Sequence, residues 1–522
     1  MLNRPTAFDD IFKENNKIIT QSEIKIFDTN GNDLLTMSQI EKVETHLKNS
    51  FLYSYYPTEE TNIDILGWNT LSQTIQQYLT TKGNFVYIKY GVEGIWTTGC
   101  RVGIIDEYQI SYRQNRATIR CIGIINSKIL TAKNIVPLYL FSTSHTWTAS
   151  AVLSASSLPS DNKTMNYSVD NNFSTMANLQ QIGLTKAEAI QNLCTACGGA
   201  VRVNYDNDTQ TFTAGIYDVN HIEKCDMSFT NIYDDISIKN FENYAQVSIS
   251  GYTLGDTEQV YTSGFYTSTG QFTQTGTIPS GYVITNTNNI YVVISNTTFP
   301  ATSYMRNDNS ISGSFNTGSY TGGGNYYIVA QKYIAPTYTQ SNTALSIVSY
   351  LLPNDDATQK AIIEANALQY LSYEKEISFS GRINPVLEPL DYLGLDEIGL
   401  IILEEVSIVF NGAYSGRIKG IEYWAKAPVE TSSHIPYPDE FEIYIQNPNP
   451  IDMELILAFS SGSFSFNVPA GQTFRITQDN AEELYDSIDE WLLGHLDNPV
   501  YCYFKYNGKV ISDNTIILEG GQ

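Results

Sequence analysis

Residues 399–420 read GLIILEEVSIVFNGAYSGRIKG, and this stretch decides the fold class. Its first half is rich in Val, Ile and Leu, which favour β-strands. Asn411 and Gly412 follow, a dipeptide typical of the tight turn in a β-hairpin. A second strand is expected after this turn, where Gly416 and Gly420 permit sharp bends. The stretch therefore predicts a long hairpin in a β-rich domain.

The residues before this hairpin predict a helix and further strands. Residues 355–373, DDATQKAIIEANALQYLSY, carry apolar residues at helical spacing. Residues 375–383, KEISFSGRI, alternate as a strand does. Pro385 and Pro389 then fix corners between short strands. We expect a helix followed by a compact β-domain over residues 346–428.

Strand patterns also fill the N-terminal part of the chain. Residues 84–91, NFVYIKYG, and residues 101–112, RVGIIDEYQISY, are rich in Val, Ile and Tyr. A hairpin turn is expected over residues 113–116, and the strand after it alternates between apolar and polar positions. We expect a small, barrel-like β-domain over residues 1–145.

A helix and a hairpin are predicted between these two parts. Thr185 is an expected N-cap, and Glu188 three residues later completes a capping box. Gly198 stops the helix, and residues 201–217 then predict two strands around a turn. We assign residues 146–250 to an α+β helix-and-hairpin domain.

The remaining segments are a β-rich insertion over residues 251–345 and an appended β-sandwich-like domain over residues 436–522. In the insertion, Asp, Glu, Lys, Arg and His are absent from Gln259 to Met305 and again from Asn309 to Gln331. Low charge is compatible with disorder, but the Tyr, Val and Ile content favours β-structure.

The charge of the chain excludes some classes of partner. Its 522 residues include 30 basic and 55 acidic side chains, a formal net charge of −25. A protein that grips nucleic acid through phosphates requires the opposite balance. Two interpretations stay open: the acidity keeps an assembly protein soluble, or it lines a surface past which DNA slides. No secretory h-region or membrane span is predicted, so we expect folding in the cytosol and free thiols on the six cysteines.

No motif predicts catalysis, a cofactor or a metal. The five histidines are isolated in the sequence. Cys194 and Cys197 have zinc or redox spacing, but there is no second pair, and their place at a helix end favours buried core thiols. Gly322, Gly323 and Gly324 lead into a strand without the Lys of a phosphate loop. We expect a protein that is not an enzyme.

The order of these pieces resembles the tail hub proteins of long-tailed phages and contractile injection systems. In that family a strand ends in Asn-Pro, matched here by Asn384 and Pro385, and an Asp begins the next strand, matched by Asp391. A glycine-punctuated hairpin closes the domain, matched by residues 399–420 with Gly412, Gly416 and Gly420. The family more often has a Gly before the Asp, where this chain has Leu390. The resemblance covers roughly residues 18–425 and rests on pattern.

The resemblance implies a structural role and a set of partners. Hubs of this kind form homotrimers in which each chain contributes two similar β-barrel domains, so that six barrels face a six-fold tail tube. The implied partners are the tail tube or distal tail protein, the tape-measure protein, tip spike or fibre proteins, and DNA only in transit. The implied location is the tail tip of a virion, where the hub opens for genome ejection.

Two other functions stay open on the sequence. The uncharged insertion suits a receptor-binding tip or fibre protein, because aromatic faces stack on sugars, although the same side chains suit packing between subunits. The tyrosines that would serve either purpose are Tyr261, Tyr266, Tyr282, Tyr291, Tyr304 and Tyr320. A tail-associated cell-wall hydrolase is the other alternative.

Overall fold

A computed structural model describes residues 11–12, 21–50, 54–131, 147–175, 185–218, 224–228, 231–240, 246–307, 309–338, 344–371, 375–395, 398–423, 428–434, 442–449, 451–459, 462–477, 500–506, 509–512 and 516–518. The described chain is mainly β-strand with a few helices, which confirms the predicted mainly-β fold class. No helix within these ranges is long and apolar enough to cross a membrane.

The N-terminal part is an antiparallel sheet with two short helices. The elements are β1 (Ser22–Phe27), β2 (Asp33–Leu35), β3 (Ile40–Ser50), β4 (Ser54–Leu66), α1 (Gln73–Thr80), β5 (Phe85–Val92), β6 (Ile95–Trp96), β7 (Gly99–Ser111), β8 (Arg116–Gly123) and α2 (Lys128–Thr131). β1 pairs with β2 and β5, β5 with β7, β7 with β8, β8 with β4, and β4 with β3. We call this the first half-sheet. On β8, Ala117, Ile119 and Cys121 point into the core, as their alternation predicts.

The helix and hairpin expected in the next part are present. The elements are β9 (Trp147–Thr148), α3 (Ala149–Ala155), β10 (Thr164–Val169), β11 (Ser174–Thr175), α4 (Lys186–Cys197), β12 (Gly199–Asp206) and β13 (Thr211–Asp218). Thr185 and Glu188 make the predicted capping box, and Gly198 ends α4 with φ 63. The hairpin attaches to the first half-sheet where Tyr205 pairs with Cys100.

Two short strands precede the insertion, which folds as two packed sheets. The elements are β14 (Lys224–Met227), β15 (Ser237–Asn240), β16 (Gln246–Thr267), β17 (Gln271–Thr277), β18 (Tyr282–Val283), β19 (Ile290–Ile294), β20 (Thr297–Pro300), β21 (Ser303–Asn307), β22 (Ser310–Asn316), β23 (Gly322–Ile334) and β24 (Ala344–Pro353). One sheet contains β20, β19, β23 and β16, and the other β17, β22 and β21. Their shared core includes Ile290, Val292, Phe315 and Tyr326, so the predicted β-rich insertion has an apolar core of its own.

Residues 399–420 form the predicted hairpin. The elements are α5 (Ala357–Leu371), β25 (Lys375–Gly381), β26 (Tyr392–Leu395), β27 (Gly399–Phe410) and β28 (Tyr414–Glu422). β27 pairs with β28 and β26, β28 with β25, β25 with β15, and β26 with β14. We call these strands, with β14 and β15, the second half-sheet. Gly412 in the turn has φ 97.

The prediction of two separate β-barrels is wrong for the described residues, in which no sheet closes on itself. β3 pairs with β27 from Glu405 opposite Lys48 to Phe410 opposite Val43. The edge of the first half-sheet is therefore hydrogen-bonded to the second half-sheet, where barrel closure would require it to return to its own first strand. The result is one continuous sheet that runs through both halves of the chain.

The C-terminal part forms two small sheets. The elements are β29 (Val429–His434), β30 (Glu442–Gln446), β31 (Met453–Phe459), β32 (Gly462–Val468), β33 (Thr473–Thr477), β34 (Val500–Tyr506), β35 (Lys509–Val510) and β36 (Ile516–Leu518). One sheet contains β29, β30 and β33, and the other β31, β32, β34, β35 and β36. Ile445, Leu455, Leu457 and Phe504 are buried in a common core, as expected of a sandwich.

Candidate functional site

One face of the continuous sheet is polar across both half-sheets. Along β3, Val43, Thr45 and Leu47 are buried, whereas His46 and Lys48, on either side of Leu47, are exposed. Successive side chains of a strand point to opposite faces, so His46 and Lys48 share the outer face. We call this side of the sheet, which faces away from the core, the polar face.

The polar face contains rows of side chains that cross from one half-sheet to the other. One row runs through neighbouring positions on six strands: Ser237, Ser378, Lys419, Glu405, Lys48 and Thr58. Where the two halves meet, Lys48 and Glu405 form an ion pair of 2.5 Å. The joint between the halves is therefore matched in charge as well as in backbone hydrogen bonding.

The polar face is concave and lines an open cavity of about 900 Å³. Its charged lining is balanced, since acidic and basic side chains occur six times each, in contrast to the net charge of −25 for the chain. These side chains are Glu59, Glu60, Asp106, Glu107, Glu376 and Glu405, with Lys48, Arg120, Lys128, Lys239, Arg417 and Lys419. The acidity of the chain is thus not concentrated on this surface.

Ion pairs hold much of this lining in place. Arg120 lies 2.7 Å from Glu60 and 3.3 Å from Asp106, and Lys128 lies 2.6 Å from Asp106. The hydrogen bond from Arg120 lowers the pKa of Glu60 below its usual range. In the second half-sheet, Lys419 lies 2.8 Å from Glu376. Charges that are already paired within the protein attract a passing polyion less strongly than unpaired ones.

The two half-sheets repeat each other strand for strand in much of their pairing. β7 and β8 form a hairpin in the first, as β27 and β28 do in the second, and β4 lies beside β8 as β25 lies beside β28. Glu107 is opposite Arg120, and Glu405 is opposite Lys419. In both hairpins the pairing register shifts just before these glutamates. The shift lies between Ile105 and Glu107 in the first hairpin and between Leu403 and Glu405 in the second.

The turn before β5 and the turn before β26 are repeated as well. The backbone N–H of Ile105 donates to the carbonyl of Asn84, and the N–H of Leu403 donates to that of Asp391. The preceding residues, Gly83 and Leu390, both have positive φ, at 92° and 77°. Leu390 follows Pro389 in a turn of the kind that usually has Gly at this position. The departure noted in the sequence at Leu390 is therefore a leucine held in a glycine conformation.

Asn384 and Pro385 form the corner that precedes this turn. Asn384 is buried, and its side-chain oxygen accepts a hydrogen bond from the N–H of Val386 at 3.2 Å. The N–H of Leu387 donates to the carbonyl of Asn384, which places Pro385 second in a four-residue turn, where its fixed φ is favourable. Both residues act on the backbone path between β25 and β26.

Asp391 belongs to a buried charge cluster that joins three parts of the chain. Arg202 of β12 lies 3.2 Å from Asp391 and 3.6 Å from Glu388, and Arg101 of β7 lies 3.3 Å from Glu59 of β4. We call these five residues the junction cluster. Arg101 is 5% exposed, and burial raises the pKa of Glu59 against the lowering effect of Arg101. The cluster fixes the helix-and-hairpin part against both half-sheets.

Gly416 and Gly420 lie where β28 crosses its neighbours closely. A β-carbon at Gly416 would collide with the backbone oxygen of Ser407, and one at Gly420 with that of Ile402. Gly412 has open space around its α-carbon and is needed for its φ alone. All three glycines therefore shape the hairpin and contribute no side chain to the polar face.

The six tyrosines singled out in the insertion do not come together. Tyr261 and Tyr304 pack against the core of the insertion. Tyr282 donates a hydrogen bond to Glu258 at 3.0 Å, and Tyr320, 45% exposed, lies beside Phe299.

Tyr291 and Tyr266 lie on the outer face of the β19–β23–β16 sheet. Tyr291 stacks on Tyr327 with ring centroids 5.1 Å apart, and Thr262 is next in the same row. Tyr266 is 78% exposed. At these positions the face presents aromatic and neutral polar side chains and no charged one.

The cysteines are all buried thiols in the structure. Burial raises the pKa of Cys194 to about 12, and it raises the pKa of Cys197 as well. Within the described ranges, no group of three or more His, Cys, Asp or Glu side chains is arranged to hold a metal ion.

Sequence reasoning missed the polar face and the repeat between the half-sheets. The short segments Ile105-Asp106-Glu107 and Leu403-Glu404-Glu405 share an apolar–acidic–acidic pattern, each followed by a strand and a hairpin turn. That signal is too short to establish a repeat by itself. The shared register shift and strand pairing in the structure identify the two segments as equivalent.

Comparisons with known proteins give matches among solved structures alone. No protein-family model matches the sequence, and no curated protein does. The tail protein from Neisseria meningitidis MC58 aligns at 10% identity and a TM-score of 0.39, over 77% of this chain and 96% of that one. The 43 kDa tail protein of prophage MuSo2 from Shewanella oneidensis aligns at 10% identity and a TM-score of 0.37, over 76% and 96%.

A secretion-system protein aligns as well. It is an E. coli component of the type VI secretion system, reported to resemble T4 bacteriophage tail proteins, at 8% identity and a TM-score of 0.33, over 84% of this chain and 92% of that one. The solved structures similar to this chain thus include phage tail proteins and a type VI secretion component, but at TM-scores below 0.5 they assign neither its family nor its function.

Proposed function

We propose that the chain is a structural hub of a phage tail or a related injection apparatus, which joins the tail tube to the tip. The observation that carries this proposal is the pair of repeated half-sheets joined edge to edge through β3 and β27. Two equivalent modules in one chain allow three chains to offer six similar surfaces to a six-fold tube. The residues that resemble tail hub proteins, from Asn384 to Gly420, lie within this arrangement.

The polar face is proposed as the lining of the channel through the hub. Its charges are balanced and largely paired, so it offers neither a strongly basic surface that would bind DNA nor an acidic one that would repel it. A polyanion or an extended protein can move past such a surface without being held. The proposed partners are the tail tube or distal tail protein, the tape-measure protein, and spike or fibre proteins, at the tail tip of the virion.

Copy number in purified particles tests the hub. Quantitative mass spectrometry, scaled to the tube protein, is expected to give three copies of the chain per particle. Six or more copies would point to a distal ring or a fibre. Absence from particles would contradict the proposal altogether.

A receptor-binding role is the second candidate, and the outer face of the insertion supports it. Tyr291 and Tyr327 form a stacked aromatic pair beside Thr262, and Tyr266 lies exposed two rows along the same face. Sugars stack on aromatic faces and hydrogen-bond to neutral polar groups. Binding of purified chain to host cells, compared with a Tyr291→Ala/Tyr266→Ala variant, tests this role; equal binding by both would count against it.

We propose a structural role without wall hydrolysis. A zymogram of the purified chain on host cell walls is expected to remain without clearing. A cleared zone that persists after chromatography to homogeneity would favour the hydrolase alternative.

A further inference from the structure

The joint between the half-sheets has a defined geometry within one chain. β3 and β27 run antiparallel, with His46 opposite Ser407, Thr45 opposite Ile408 and Leu47 opposite Val406. Polar His46 and Ser407 lie on the polar face, and the alternate residues lie on the core side. There Thr45, Val406 and Ile408 are 1%, 1% and 2% exposed.

The repeat assigns an equivalent to each of these two strands. β27 corresponds to β7, because Glu405 and Glu107 take the same place opposite Lys419 and Arg120. β3 corresponds to β15, because β3 is the strand beyond β4 and β15 is the strand beyond β25. The second half-sheet therefore ends in a strand like β3, and the first half-sheet contains a strand like β27.

The register of the repeat gives the residue equivalences. Glu60 of β4 and Glu376 of β25 lie opposite Ile122 and Ile421, which are themselves equivalent. Their partners on the next strand are His46 and Lys239, so these two correspond. One residue along, Thr45 corresponds to Ile238. On the other side of the joint, Ser407, Ile408 and Val406 correspond to Gln109, Ile110 and Tyr108.

These equivalent strands have open edges in the described structure. β15 pairs with β25 on one side only, and beyond Glu107 β7 pairs with β8 alone. Ile238 is 53% exposed and Tyr108 is 45% exposed, although their counterparts Thr45 and Val406 in the joint are almost fully buried. Open edges with exposed apolar side chains are pairing sites that a soluble protein normally protects.

The two open edges are not paired with each other in the described residues. They lie at opposite ends of the run β15–β25–β28–β27–β3–β4–β8–β7. A partner that completes β7 in the way that β3 completes β27 would offer a strand like β15. A second copy of this chain does so.

We propose that β15 of one copy adds to the edge of β7 in the next copy and repeats, between chains, the joint that β3 and β27 make within one chain. Lys239 of one copy then lies opposite Gln109 of the next, and Ile238 lies opposite Ile110 with Asn240 opposite Tyr108. Lys239 and Gln109 continue the polar face, and Ile238 and Ile110 are buried behind it. The interface is head-to-tail, so it closes into a ring when the rotation per chain allows. It rests on the proposed hub function for the size of that ring.

Cysteine cross-linking of the full chain tests the register. In Ile238→Cys/Ile110→Cys, the two thiols face each other across the proposed interface, and mild oxidation is expected to give a covalent ladder that ends at a trimer. In the control Ile238→Cys/Gln109→Cys, the partner is shifted by one residue and its side chain points to the opposite face. The control is expected to stay uncross-linked. All six native cysteines are buried, which keeps the background low.

A charge substitution tests the same contact without cross-linking. Ile238→Asp places a charge in the buried part of the interface and is expected to weaken self-association at least tenfold by mass photometry. Ile334→Asp is the matched control, because Ile334 is a similarly exposed isoleucine, at 47%, that lies on β23 away from both edges. The control is expected to associate as the natural chain does.

The outcomes separate this interface from the hub itself. Mass photometry could detect trimers although Ile238→Cys/Ile110→Cys does not cross-link, or although the shifted control cross-links equally. Either result would contradict the edge pairing and would not affect the hub proposal. A chain that stays monomeric at all concentrations also overturns the edge pairing, and three copies per particle would then still support the hub. Absence of the chain from particles, with the matched pair cross-linked, would instead overturn the hub and keep the interface.

Discussion

Arg120 and Lys419 occupy equivalent places in the two half-sheets, and each binds a glutamate on the neighbouring strand. Arg120 lies 2.7 Å from Glu60, and Lys419 lies 2.8 Å from Glu376. The two glutamates are themselves equivalent in register. The repeat therefore includes side-chain chemistry as well as backbone pairing.

This equivalence predicts small and similar effects on stability. Arg120→Ala and Lys419→Ala are each expected to lower the free energy of unfolding by about 1 kcal/mol or less, because solvent screens both partly exposed pairs. Urea unfolding at low and high salt measures this, with both losses smaller at high salt. A loss several times larger at one site would mean that the two pairs are not equivalent.

At position 390, substitution by glycine is expected to destabilise the chain less than substitution by alanine, the reverse of the usual order. Leu390 is 2% exposed, so Leu390→Ala loses buried apolar surface, roughly 2–5 kcal/mol, and keeps the strained positive φ. Leu390→Gly loses the same surface but relieves a strain of about 1 kcal/mol. We expect the glycine variant to be the more stable of the two by thermal unfolding.

Gly83 is the matched test for this strain. It has φ 92, and open space surrounds the place where a β-carbon would stand, so Gly83→Ala probes the backbone conformation alone. A loss of about 1 kcal/mol is expected. An alanine variant at position 390 as stable as the glycine variant would show that the left-handed backbone carries no strain there.

The junction cluster depends on Arg101. Arg101→Met leaves Glu59 without its guanidinium partner, and because the Glu59 side chain is 23% exposed we expect a loss of at most roughly 3 kcal/mol at neutral pH, the lower end for a buried pair. The double variant Arg101→Met/Glu59→Gln removes both charges and is expected to recover much of this loss. Equal stability of the single and double variants would argue against coupling between these two residues.

The same single variant has a predicted pH dependence. Burial already raises the pKa of Glu59, and loss of Arg101 removes a group that lowers it. A carboxyl whose folded pKa is raised binds a proton more readily in the folded state, so its stability contribution grows as pH falls. Relative to the natural chain, Arg101→Met is expected to regain stability as pH falls from 7 towards the ordinary pKa of 4.5. Unfolding curves across this range measure the trend, and a deficit that widens on acidification would contradict it.

The native cysteines are expected to be unreactive. All six are buried, and burial raises the pKa of Cys100 and of Cys121 to about 12. A thiol-specific colorimetric reagent at pH 8 should therefore label none in the folded chain and all of them in denaturant. Rapid labelling of the folded chain would show that some of these thiols are accessible.

Sequence patterns predicted the elements whose signals are local. The capping box of Thr185 and Glu188, the αL end at Gly198 and the turn at Gly412 each depend on a few neighbouring residues, and all are present. The polar face could not be predicted in this way, because His46 and Ser407 become neighbours only through a pairing between residues more than 350 positions apart. Barrel closure was wrong for the same reason, since alternation shows which residues face a core but does not show which edges meet.

The repeat between the half-sheets is close but inexact, and this has a consequence for any six-fold partner. In the proposed ring of three chains, first and second half-sheets would alternate. The place of Arg120 in one half-sheet is taken by Lys419 in the other, and that of His46 by Lys239. Six identical tube subunits on this ring would contact two chemically different binding sites in alternation, one on each kind of half-sheet. A substitution in one half-sheet would then alter every second binding site and leave the others unchanged. Three of the six contacts between the hub and the tube would be altered, with three-fold symmetry.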